Sequence, residues 1–249
     1  MGVEGAALSE AVAKVDKSGQ RVRKMFSEIA PRYDLMNHVL SLNIDRLWRR
    51  RAVREISIRN TAIVLDVCTG TGDLAISLAY KVAGKAPVIG TDFCGEMLEV
   101  ARQKQSKLGY RDESLRFIEA DTQSLPIESE SCQCVTVAFG IRNVSDTHQG
   151  IREMMRVLQP GGQLLILEFS KPTLPILSQL YSSYFKYVLP RIGQGFAKNS
   201  ESAYAYLPAS VQEFPSGNVF VKQLEGLGLK EVRWIPMTLG VASIYVGVK

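Results

Sequence analysis

The 249-residue sequence has little of what marks several broad protein classes. No run approaches 18 uninterrupted apolar residues, so no membrane-spanning helix is predicted. Met1 to Gln20 has no apolar core, and no secretory leader is read there. There are only two histidines, His38 and His148, and four cysteines, Cys68, Cys94, Cys132 and Cys134. Cys132-x-Cys134 is not a zinc spacing, so no metal site is expected. The cysteines fall in or beside predicted strand ends, which reads as reduced thiols in an intracellular enzyme. Internal repeats and low-complexity segments are absent. What remains is ordinary for a soluble globular protein, with 46% apolar and 22% charged residues. The length suits one α/β domain with additions.

Charge of one sign is also missing from most of the chain. Residues 61–249 hold equal numbers of acidic and basic side chains, and the whole net charge of +5 lies in residues 1–60. Arg49-Arg50-Arg51, with Arg46 and Arg54, is the densest part. Such a segment can meet nucleic acid, an anionic membrane surface or an acidic substrate, or it can be a solvated helix face.

In chain order, Val22, Met25, Phe26 and Ile29 fall on one helical face. Pro31 ends that helix, and Arg32 to Asn37 reads as a polar and aromatic turn. Leu47, Trp48 and Val53 mark a second amphipathic helix. Residues 1–60 therefore form an N-terminal helical cap. A doubly wound α/β unit over residues 61–249 follows, with strands Ile63–Val67, Pro87–Asp92, Leu115–Ala120, Cys134–Phe139 and Gln163–Phe169. Helices run from Asp73 to about Val82, from Glu96 to Leu108 and from Gly150 to Leu158. Residues 171–218 are aromatic and irregular, an insertion long enough to be functional. A helix from Val219 to Gly226 and an antiparallel pair, Leu229–Ile235 with Val241–Val248, close a mostly parallel seven-stranded sheet. Cap, sheet and insertion form one structural unit.

Chemistry concentrates after the first strand, in Asp66-Val-Cys-Thr69-Gly70-Thr71-Gly72-Asp73. A glycine turn between a buried strand and a helix is where an open α/β sheet binds nucleotide-like ligands. Gly70-x-Gly72-x-x-Ala75 with Asp92 twenty residues beyond Gly72 also fits a dinucleotide fingerprint. Asp66, however, would repel a pyrophosphate. It would balance the sulfonium and ammonium of S-adenosylmethionine (SAM), whose carboxylate the turn's N–H groups can take. Acids at three successive strand ends, Asp66, Asp92 and Asp121, suit an amino head, a ribose diol and an adenine amine in that order. A dehydrogenase needs the second acid but not the third. An NAD-dependent oxidoreductase is the alternative from this pattern. An RNA methyltransferase has only the basic pI of about 9.0 in its favour and no RNA module, so no nucleic-acid partner is expected. A catalytically silent scaffold is a third alternative.

Three motifs carry a resemblance that covers about Lys24 to Gly247. Tyr33-Asp-x-Met-Asn37-x-x-Leu-Ser41-x-x-x-Asp45-x-x-Trp48, Phe139-Gly-x-Arg142-Asn143, and Arg156-Val-x-x-Pro-Gly-Gly162 with Glu168-Phe-Ser170 are similar to the ubiquinone/menaquinone biosynthesis C-methyltransferases. The resemblance implies a class I SAM-dependent methyltransferase fold and methyl transfer to a ring carbon of a prenylated quinol. It places SAM contacts at Thr71, Asp92, Asp121 and Thr122, to which the turn adds Thr69, Gly70 and Gly72, and the fourth strand's end adds Ala138. Tyr33, Asn37 and Phe139 are expected at the acceptor. Arg142 is expected to stabilise the phenolate or polarise a water, and Asn143 to hold the quinol oxygen or that water; the bland reading pairs Arg142 with an acid and makes Asn143 a helix cap. Asp45 stands where some members, chiefly the dual-function ubiquinone type, have His, and the run Asn37-His-x-Leu-Ser-Leu-x-Ile-Asp-Arg-Leu-Trp48 resembles the menaquinone-only branch. Demethylmenaquinol is therefore the expected acceptor and the benzoquinol of ubiquinone synthesis the alternative. Because the tail lives in lipid, the basic N-terminal quarter is expected to dock a cytoplasmic protein peripherally on the anionic inner face of the membrane. A homodimer or a quinone-synthesis complex is a separate expectation.

Overall fold

The computed structural model describes residues 17–172 and 201–249. Its centre is a seven-stranded sheet in the order β3-β2-β1-β4-β5-β7-β6. The strands are β1 Ile63–Val67, β2 Val88–Asp92, β3 Leu115–Glu119, β4 Cys132–Ala138, β5 Leu158–Phe169, β6 Lys230–Met237 and β7 Ala242–Val248. The first five are parallel, and β7 runs antiparallel between β5 and β6.

The central strands read as unbroken apolar runs because both of their faces are covered. On one face Val64, Val88, Leu165 and Ile244 pack with α4 (Asp73–Val82), α5 (Gly95–Lys107) and the cap helix α3 (Ile44–Glu55). On the other, Leu65, Ile89, Val137 and Ile166 pack with α6 (Thr147–Val157) and α8 (Asn218–Gly226). Each face is therefore a separate apolar layer. Strand order reverses at β1, which has β2 on one side and β4 on the other, so the crevice for a ligand opens beyond the carboxyl ends of β1 and β4.

The cap comprises α1 (Gly19–Ile29), a 3-10 turn at Ala30–Arg32, α2 (Tyr33–Leu40) and α3. Val22, Met25 and Ile29 of α1 are buried, and Phe26 is half-buried, as the spacing predicts. The turn expected over Arg32–Asn37 is instead mostly helix. Pro31 sits in the first positions of the 3-10 turn, where its missing N–H leaves no ladder bond broken, so the chain continues into α2. In α3, Trp48 is buried as expected and donates from Nε1 to Thr238 Oγ1 at 2.8 Å, but Leu47 is 58% exposed. The buried positions of α3 are Asp45, Trp48 and Ala52, spacings of three and four.

Two further differences concern the carboxyl half. Pro160-Gly161-Gly162 does not delay the fifth strand. β5 begins at Leu158, and the three residues form an irregularity across which pairing with β4 jumps from Cys132–Leu158 to Cys134–Gln163. Part of the insertion is regular: α7 spans Glu201–Glu213 with Pro208 inside it. The aromatic run from Tyr181 to Phe196 lies outside the described residues.

Among the described residues no helix is long and apolar enough to cross a membrane. Arg46, Arg50, Arg51 and Arg54 are exposed on α3, whereas Arg49 is largely covered.

Candidate active site

The turn after β1 is built from left-handed backbone. Cys68, Gly70 and Gly72 have φ of +48°, +55° and +83°. Gly72 has no room for a side chain either, since a Cβ there would lie 2.8 Å from Phe117 Cζ. Gly140, just past β4, comes so close to the turn that its Cβ would be 2.3 Å from that of Cys68. Glycine at both positions lets the two loops at the switch point touch.

They border a cavity that is partly open to solvent. It brings together Asp66, Thr69, Gly70, Thr71, Asp92, Asp121, Thr122, Ala138, Phe139, Asn143 and Tyr33 from the expected set. Gly72, Asn37 and Arg142 are not among its lining residues. Gly72 caps α4 behind the turn, and Asn37 is hydrogen-bonded to Tyr33. Phe26, Phe93 and Met97 add apolar wall, and Arg49 and Asp73 add charge.

The carboxylates differ in what holds them. Asp66 accepts from Thr69 Oγ1 and Thr136 Oγ1, both at 2.6 Å, and among the described residues no cation is bonded to it. Asp92 accepts from the backbone N–H of Gly70 at 2.8 Å and of Cys94 at 2.9 Å. Burial pushes both carboxyls up to about 6, against the hydroxyl bonds at Asp66 and the amide bonds at Asp92. Asp121 is exposed at the rim, two residues beyond the end of β3, and accepts from Gln123 N–H at 2.9 Å. Thr122 is buried, with its Oγ1 3.2 Å from Cys68 Sγ.

A network the sequence did not disclose ties cap to turn. Thr71 Oγ1 donates to Asp34 Oδ1 at 2.5 Å, and Lys104 Nζ bridges Asp34 and Asp73 at 2.5 and 2.7 Å. Asp34 lies inside the motif beginning at Tyr33, so its type was visible, but its partner is 37 residues away.

Arg142 takes the paired geometry. It is buried, its Nη1 lies 2.6 Å from Glu168 Oε1 and also donates to the Phe139 carbonyl, and its guanidinium lies 5.3 Å from the Phe169 ring centre. Burial pushes the Glu168 carboxyl up even beside this cation. Asn143 does not cap α6, a role taken by Asp146, which accepts from Gln149 N–H. The buried Nε of Arg142 and Oδ1 of Asn143 have no hydrogen-bond partner in the described structure.

Four carboxylates and one arginine line the cavity among the described residues. A pyrophosphate would be repelled there, whereas a sulfonium, an ammonium and a ribose diol are matched. The donor set fits SAM and not a dinucleotide.

Comparison with known proteins agrees. Residues 14–249 match the ubiE/COQ5 methyltransferase family. The ubiquinone/menaquinone biosynthesis C-methyltransferase UbiE of Geobacter sp. (strain M21) is 46% identical over 235 residues, 94% of this chain and 99% of that one. The demethylmenaquinone methyltransferase of Deinococcus radiodurans is 45% identical over 236 residues, 95% of each chain. In fold, the chain is similar to a SAM-dependent methyltransferase from Thermotoga maritima, with TM-score 0.63, 16% identity and coverage of 92% and 99%. A SAM-dependent methyltransferase from Aquifex aeolicus gives TM-score 0.58 at 18% identity, over 94% and 99% of the two chains.

The raised acids predict a pH dependence. A cationic ligand favours ionised Asp66 and Asp92, so SAM affinity rises with pH through about 6 and levels off above about 7. Between about pH 7.5 and 5 the dissociation constant should rise at least about tenfold, the loss for one acid titrating near 6. The free protein has the opposite sign: its stability from these acids is full below their unfolded value near 4 and is lost as pH rises through 6. Titrations with SAM across this range check the point, and a flat profile contradicts it.

Proposed function

This chain belongs to the ubiE/COQ5 methyltransferase family, and on that premise we propose that it methylates a ring carbon of demethylmenaquinol. It is a SAM-dependent C-methyltransferase of quinone biosynthesis. The observation that supports the naphthoquinol rather than the benzoquinol acceptor is Asp45. The family resemblance implies His at this position in some members, chiefly of the dual-function ubiquinone type, and here Asp45 is bound into the cap by Ser41, His38 and Arg49. An aromatic wall of Phe26, Tyr33, Phe93 and Phe139 suits a fused ring system.

The cofactor supplies an electrophilic methyl group on a sulfonium. The protein must make the ring carbon nucleophilic and hold it in line, largely a positioning problem. An unpaired donor on Arg142 beside an unpaired acceptor on Asn143 suits one oxygen that accepts from the first and donates to the second. That oxygen is a hydroxyl of the quinol, on which the Nε donor favours build-up of negative charge. Glu168 fixes the guanidinium through Nη1, so Nε remains for this work. Tyr33, held by Asn37, lines the cavity together with Asn143.

Two experiments test the reading. Purified protein is given methyl-labelled SAM with a demethylated naphthoquinol or a demethylated benzoquinol. Label in the naphthoquinol alone is the expected result. Label in both makes the enzyme dual-function, and label in neither, with SAM still bound, overturns the acceptor.

Arg142→Ala should cut turnover at least about a hundredfold, the scale of lost general catalysis, with SAM affinity within a few-fold of the parent. It also strands Glu168, at a cost of about 3–5 kcal/mol. The double variant Arg142→Ala with Glu168→Gln should therefore recover stability but not turnover. Near-normal turnover in either variant removes Arg142 from the mechanism.

A further inference from the structure

The amino-acid end of the cofactor carries a carboxylate as well as an ammonium, and the turn after β1 has few donors left to receive it. Thr69 N–H is bonded to the Thr91 carbonyl at 2.9 Å, Gly70 N–H to Asp92 Oδ2 at 2.8 Å, and Gly72 N–H to the Thr69 carbonyl at 2.9 Å. These amides hold the turn and its acid in shape. The expectation that they take the ligand's carboxylate therefore fails for these three, and an anion entering a cavity with four carboxylates needs a cation elsewhere.

Arg49 is that cation. Among the described residues it is the one basic side chain lining the cavity, and it comes from the cap rather than from the sheet. Its side chain is 12% exposed and its place is held from several directions. Nη1 is bonded to Asp45 Oδ2 one helical turn earlier and lies 3.6 Å from Asp73 Oδ2 at the start of α4. Asp45 is itself fixed by Ser41 Oγ at 2.5 Å and His38 Nδ1 at 2.9 Å. The guanidinium carbon stands 5.8 Å from the Phe139 ring centre. Both acids act on the same nitrogen, and a guanidinium has a fork of donors that matches a carboxylate. Arg46, Arg50, Arg51 and Arg54 of the same helix are exposed, so this one arginine of the basic cluster is turned inward.

We propose that Arg49 binds the carboxylate of the cofactor, so that the cap recognises the ligand's amino-acid end. Asp45 and Asp73 are positioning residues that hold the guanidinium at the cavity. The inference rests on the cofactor reading and on nothing about the acceptor. It makes cap placement and cofactor binding one event: the segment that closes beside the site carries the charge the ligand requires.

The test compares SAM with decarboxylated SAM, which keeps the adenosine, sulfonium and amine but lacks the carboxylate. Calorimetric titrations of both ligands are made on the full chain and on Arg49→Met. The parent should prefer SAM by roughly 10- to 100-fold, the range for a hydrogen bond to a charged group. Arg49→Met should lose SAM affinity by a similar factor and bind decarboxylated SAM as the parent does, so that the preference vanishes. Arg49→Lys keeps a charge beside Asp45 and Asp73 and should retain the fold with a reduced preference. Equal weakening of both ligands in Arg49→Met would make Arg49 a tie within the cap and overturn the proposal. An undiminished preference in either variant would also overturn it. A parent protein that binds neither ligand would overturn the cofactor reading, a different result from failure at Arg49.

Discussion

Two carboxylates held without a cation bonded to either among the described residues are the constraint on which the rest of the site depends. Strands buried on both faces have only their carboxyl ends on which to present polar groups, and β1 and β2 place Asp66 and Asp92 there. Leaving such groups buried and charged is costly, and each is given two hydrogen-bond donors. Two threonine hydroxyls serve Asp66, and the amides of Gly70 and Cys94 serve Asp92. The left-handed turn brings the Gly70 amide to Asp92 and thereby gives up its ability to receive an anion. A ligand with positive charge and hydroxyl donors relieves this arrangement, and one with a pyrophosphate aggravates it.

The cap answers the charge the sheet leaves open. Trp48 sits against Phe139 and Phe169, with ring centres 6.0 and 6.1 Å away, and anchors α3 over the end of β5. Asp34 reaches the turn at Thr71, Lys104 ties Asp34 to Asp73, and Arg49 stands between Asp45 and Asp73. These contacts join the first helices to the cofactor turn through alternating charges. The acceptor side is organised differently, around the buried pair of Arg142 and Glu168, which fixes the loop after β4 by its bond to the Phe139 carbonyl.

Legibility followed distance along the chain. The turn after β1 and the acids at 66 and 92 could be read because apolar runs ended where the acids stood. Asp121 was read as a strand end although β3 stops at Glu119, which accounts for its place at the exposed rim. α2 was hidden because Pro31 looks like a terminator, while its place in a 3-10 turn lets helical backbone continue. Nothing in Arg49-Arg50-Arg51 distinguishes the inward arginine until Asp45, Trp48 and Ala52 are known to share the buried face. The Arg142–Glu168 pair joins residues 26 positions apart on different elements, and no local pattern predicts it. Family resemblance pointed to Arg142 and Asn143, but only the structure shows that Asn143 lines the cavity while the Arg142 guanidinium is paired with Glu168 behind it.

The claim at the centre of this account is that the acids after β1 and β2 select a cationic, phosphate-free nucleoside ligand. Calorimetry of the full chain at about pH 7.5, titrated separately with SAM and with NADH, tests it most directly. The account predicts one-to-one binding of SAM and no measurable heat with NADH. Saturable binding of NADH, with SAM failing to bind or to compete, would contradict it.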